Sequence, residues 1–125
     1  MDKQPFIDRI LETENLTGDL EDDAADHLLN WGIHQLERLI AGAADEEAAH
    51  EKVGALMQVM HSVNRIAANR STPAPAQVAD LAAHYARAFG KTTAESADHN
   101  AIAAEVSELE GLEAVKFLLG WVQKQ

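Results

Sequence analysis

Leu28, Leu29, Gly32, Ile33, Leu36, Leu39 and Ile40 recur at steps of three and four residues, the spacing that lines one face of an α-helix. Later segments repeat the pattern, and none shows the strict apolar/polar alternation of a half-buried strand. The chain is therefore read as all-α, a compact antiparallel bundle of four to five helices. Its 125 residues, 46% hydrophobic and 25% charged, suffice to close one core without a metal or disulfide staple, so residues 1–125 are read as a single domain.

Segment boundaries follow from caps and breakers. Pro5 fits a first helical turn, and Phe6, Ile7, Ile10 and Leu11 then form a short apolar stripe ending near Glu14. Asn15 and Gly18 break it. Thr17 or Asp19 is placed to cap a second helix, whose first turn holds Glu21, Asp22 and Asp23 and which runs to about Ala41, with Gly42 as a left-handed terminator. Asp45, Glu46 and Glu47 open a third helix carrying Val53, Leu56, Met57, Val59, Met60, Val63, Ile66 and Ala67. Arg70 to Pro75 interrupts it, with Thr72 and Pro73 read as a cap and first turn. A fourth helix through Val78, Leu81, Ala82, Tyr85 and Phe89 stops at Gly90. Thr92 with Glu95 reads as a capping box for a fifth helix presenting Ala97, Ala101, Ile102 and Val106. Ser107 with Glu110 is a second such box, and Gly111 beside it predicts a break or kink before a last stretch that is apolar nearly all round.

Several function classes fall away on composition. With no cysteine there is no thiolate metal site, disulfide framework or cysteine nucleophile. Asp2, Lys3, Asp8 and Arg9 interrupt the apolar residues at the start as no secretion signal would, and no stretch is apolar enough to span a bilayer. A cytoplasmic protein is expected. The net charge of −11 sits almost wholly in Met1 to Ser62, with 14 acids and 4 bases; such a field opposes binding of nucleic acid or anionic membrane and attracts basic partners. An acidic mimic of DNA is a weaker reading of the same field.

Three groups of residues are candidates for chemistry. The run Asp22-Asp23-Ala24-Ala25-Asp26 resembles the DDxxD motif of isoprenoid synthases, which hold magnesium and a diphosphate. The resemblance covers five residues, lacks the second acidic motif and opens a helix, where the positive dipole end opposes a cation. It is read instead as an acidic first turn that, with Asp19 and Glu21, recruits a basic surface. Histidines form the second group. Asp23, His27 and His34 share one stripe of the second helix, and Glu47 with His50 forms a single Glu-x-x-His, near His61, of the kind that di-iron bundles use in pairs. These six are the candidate ligands if the protein is a metal-binding enzyme or carrier. His84 is expected to pair with Asp80 one turn before it, and His99 to lie on the surface.

Aromatic residues are the third group. Trp31 projects off the Leu28, Gly32, Leu36 face, and Phe117 and Trp121 project off the Leu112, Val115, Leu119, Val122 stripe, positions from which each could anchor a partner. The function expected is a protein-interaction module or assembly subunit, a possible homodimer, with no cofactor. Trp31, Phe117 and Trp121 are its expected anchors, and Asp19, Glu21, Asp22, Asp23 and Asp26 its charged face.

Overall fold

The computed structural model describes residues 2–13, 16–68, 75–90 and 99–124. Among these, every regular element is a helix: α1 (Gln4–Glu12), α2 (Asp22–Ala41), α3 (Glu46–Ala68), α4 (Pro75–Phe89), α5 (His99–Val106) and α6 (Gly111–Gln123). The all-α expectation holds, but six helices are described instead of four or five. The last stretch is divided because Gly111 turns at φ +52, a left-handed conformation that stops α5 and α6 from running together.

α3 is the central element and packs against α1, α2, α4 and α6; its most extensive contact is with α4. The short α2–α3 connection makes these helices antiparallel, with Gly32 of α2 against Met60 of α3. α3 and α4 are antiparallel too, since Gln58 shares a groove with Arg87, and Arg65 shares one with Gln77 and Asp80. α6 lies across α2, α3, α4 and α5, as its nearly all-round apolarity implies. Leu28, Leu36, Leu56, Met60, Leu81 and Leu118 are fully enclosed, and the apolar face of each long helix supplies the core.

Helix ends are where the expectations need correction. α2 begins at Glu21, whose carbonyl takes the first helical bond from the Ala25 amide, and neither Thr17 nor Asp19 caps it. Asp19 instead reaches α3. Gly42 ends α2 at φ −92, an ordinary right-handed value, with its amide on the Arg38 carbonyl; no left-handed residue is needed there. Gly90 does stop α4 in the left-handed region, at φ +66. Asp45 caps α3, its Oδ1 accepting the Ala48 amide at 2.8 Å. The Ser107–Glu110 box does not form: Ser107 donates its hydroxyl to the Ala104 carbonyl at 2.6 Å, and Glu110 precedes α6 without a side-chain cap bond. On α5, Ala103 and Val106 are buried while Ala101 is exposed. α1 ends at Glu12; Glu14, the Thr72–Pro73 cap, the Thr92–Glu95 box and Ala97 lie outside the described residues.

Candidate functional site

The start of α2, the end of α3 and the turn between α5 and α6 meet around a groove of about 550 Å³. Asp19, Glu21 and Asp23 enter it from the α2 side and Glu110 and Glu113 from the α6 side, so five carboxylates line it and, among the described residues, no lysine or arginine does. Its floor is apolar, built from Leu20, Leu109 and Leu112 with Ala67 and Ala68. Two helices, α2 and α6, begin here, and two, α3 and α5, end. Their dipoles contribute about +0.5 charge at each N-terminus and about −0.5 at each C-terminus, which does not cancel the carboxylates, so the groove keeps a negative field.

Asn64 fixes one wall. Wholly buried in α3, it accepts the Asp19 amide on Oδ1 at 3.2 Å and donates from Nδ2 to the Asp19 carboxylate at 3.2 Å. The segment before α2 is thereby tied to the central helix. Of the acids expected to form a charged face, Asp19, Glu21 and Asp23 line the groove, whereas Asp22 and Asp26 are exposed on α2 outside it. Glu110 and Glu113 were missed by sequence reasoning. They stand far from Asp19 to Asp23 in the chain, and only the packing of α6 on α2 and α3 brings them there.

No family model, curated protein or solved structure matches this chain. The site is therefore read from its own chemistry.

The histidine and carboxylate candidates do not converge. His50 stands 3.8 Å from Glu46, its ring 4.6 Å from that of Phe6, while Glu47 is exposed. His27 and His34 are exposed on α2, and Asp23 faces the acidic groove. His61 lies across the α3–α4 groove from His84, in a cavity of about 170 Å³ that Arg65 and Asp80 also line. Among the described residues no three histidine, aspartate or glutamate side chains gather as a metal would require. His84 differs from expectation, because its Nδ1 accepts from the Arg87 guanidinium and, among the described residues, Asp80 does not come within ion-pair distance of it. Burial, then the Arg87 charge, and lastly His61 hold its pKa below the usual 6.5, against the opposing pull of Asp80.

Trp31, Phe117 and Trp121 are each half-buried and packed against the core, each keeping part of its surface exposed. The Trp31 indole nitrogen is buried with no hydrogen-bond partner among the described residues. His99 is not a surface residue. It meets Trp121 edge to face at 6.2 Å, and its Nε2 is buried without a hydrogen bond among the described residues.

Proposed function

We propose that the protein is an interaction module that works by binding, and that the acidic groove receives a basic, partly apolar segment of a protein partner. The observation that carries this reading is the convergence of Asp19, Glu21, Asp23, Glu110 and Glu113 around an apolar floor, with no lysine or arginine among the described residues that line it. Lysines or arginines of the partner would face the carboxylate rim, and its apolar side chains would cover Leu20, Leu109 and Leu112. Opposite charge on the rim governs encounter and partner choice, and burial of the floor supplies affinity. The half-exposed aromatics Trp31, Phe117 and Trp121 are the surfaces proposed for self-association or for extending such a contact.

The test is calorimetric titration with an amphipathic lysine- and leucine-rich peptide, and with the same peptide carrying glutamate for lysine. The basic peptide should bind, more weakly as salt is raised, and the acidic one should not. Replacing Glu21, Glu110 and Glu113 together by glutamine should weaken binding about tenfold, at roughly 0.2–1 kcal/mol for each exposed ion pair. Glu21 and Glu110 make no side-chain cap bond, so helicity should be unchanged. Equal binding by the triple variant would refute the reading.

A further inference from the structure

On the face of α3 remote from the acidic groove, Arg9 of α1, Lys52 of α3 and Arg87 of α4 line a cavity of about 640 Å³ floored by Ala48, Ala55 and Met57. Three of the chain's ten lysines and arginines thus gather in one place. Among the described residues none of the three has a carboxylate within salt-bridge distance, although the chain has 21 acids; Glu51, on the same rim, pairs with none of them. Two are held in place by neutral partners: Arg9 donates to the His50 carbonyl at 3.2 Å, and Arg87 donates to His84 Nδ1. The Arg9 guanidinium lies over Gly54, 3.5 Å from where a Cβ would stand, an ordinary contact distance. Three cations thus share this rim with a single carboxylate, Glu51, an excess of positive charge that a bound anion would offset.

We propose that this cavity is a binding site for a small organic anion of the phosphomonoester class, its head between Arg9, Lys52 and Arg87 and its apolar body over Ala48, Ala55 and Met57. The volume suits a small ligand, and a mostly apolar floor with a few convergent charges is the usual make-up of such a site. Cations from three separate helices can surround one phosphate, which accepts hydrogen bonds on every side. The negative field of the rest of the chain is screened over about 8 Å at physiological salt, so it does not reach across the molecule to oppose a ligand seated among three cations. A bilayer would lay its anionic surface over the whole rim, Glu51 included, within that screening length, which assigns the site to a dissolved phosphomonoester and not to a lipid headgroup. This inference does not depend on the acidic groove.

Calorimetric titration with hexyl phosphate, inorganic phosphate and hexylammonium tests it. Hexyl phosphate should saturate one site, inorganic phosphate should bind at least tenfold more weakly, and hexylammonium should not bind. Lys52→Glu and Arg87→Glu should each weaken hexyl phosphate at least tenfold, Lys52→Gln by less, and the exposed α6 control Lys116→Glu not at all, with circular dichroism confirming that each variant is folded. Absence of saturation, indifference to the reversals, or equal binding of inorganic phosphate would overturn the proposal. So would sedimentation with phosphatidic acid vesicles at lower phosphate concentration than hexyl phosphate requires, which would make a membrane the ligand.

Discussion

Gly32 and Asn64 show how closely α2 and the segment before it are fitted to α3. A Cβ on Gly32 would stand 2.5 Å from Met60 Sδ and 2.7 Å from its Cε, and Met60 is wholly buried, so its side chain has little room to retreat. Gly32→Ala should cost about 1–3 kcal/mol by overpacking, in spite of the better helix propensity of alanine. Shortening the neighbour tests the cause: Met60→Ala alone opens a cavity worth about 2–5 kcal/mol, but the double variant should be more stable than the sum of the two losses implies. Strict additivity in urea denaturation would show that the two side chains do not compete for the same space. Asn64→Ala removes both the acceptor of the Asp19 amide and the donor to its carboxylate, and should cost about 1–3 kcal/mol. It should also loosen the groove wall, so peptide binding should fall together with stability. Asn64 was not singled out in the sequence, where Val59, Met60, Val63, Ile66 and Ala67 carry the stripe around it. Its partner could not be read, because Asp19 lies on another element and looked like a helix cap.

The ends of the helices divide into those that demand glycine and those that merely have it. Gly90 and Gly42 each follow a helix, and in sequence they are equivalent. Gly90 sits at φ +66, where an L side chain is strained by about 1–2 kcal/mol, so Gly90→Ala should destabilise by about that amount even though nothing lies within 4 Å of the added carbon. Gly42 sits at φ −92, so Gly42→Ala should be neutral or stabilising by up to about 1 kcal/mol through the unfolded chain. Thermal melts of the two variants should therefore move in opposite directions, or differ by more than 1 kcal/mol if both fall. Hydrophobic periodicity located every long helix, because its signal is summed over several turns. Caps rest on one or two residues and on where the backbone is pulled by tertiary contacts, which is why the sequence placed Asp45 at the start of α3 without marking it as the cap and did not mark Glu21 as the cap of α2. α1 illustrates the same limit. Phe6, Ile7, Ile10 and Leu11 read as one stripe, yet Phe6 and Ile10 are buried, Ile7 is half-buried and Leu11 is 54% exposed. A nine-residue helix is too short to persist alone, so Phe6→Ala should release α1 first. Amide exchange should accelerate in α1 while α3 stays protected; uniform acceleration in both would mean that α1 is integral to the cooperative core.

At the scale of the molecule, two grooves of different charge flank α3: five carboxylates line the one at its C-terminal end, and Arg9, Lys52 and Arg87 outnumber Glu51 around the one beside its N-terminal half. The sequence disclosed the excess of acid in the first half but not this polarity, which arises only when α4 and α6 fold back alongside. Between the two regions lies His84, facing His61 and Arg65 across the α3–α4 groove, one turn after Asp80 on its own helix and touching Arg87. Its lowered pKa links the fold to pH. The neutral ring accepts the Arg87 hydrogen bond, and protonation would replace that acceptor with a second cation in a partly desolvated place. In the unfolded chain the same imidazole takes up a proton near 6.5, and in the folded chain only at lower pH. Between those two values the unfolded state holds more protons, so stability must fall as pH drops below about 6.5 and level off, for this group, once the folded pKa is passed. Above 6.5 both states are neutral and the contribution is constant. His84→Gln keeps a side-chain amide that can accept from Arg87 but does not titrate. Urea midpoints across this pH range should therefore decline less steeply for His84→Gln than for the unaltered protein, while the two converge to parallel lines above it. Parallel decline throughout the acidic range would assign the pH sensitivity to the other histidines or to the carboxylates, and would remove His84 from the α3–α4 contact as a proton-linked group.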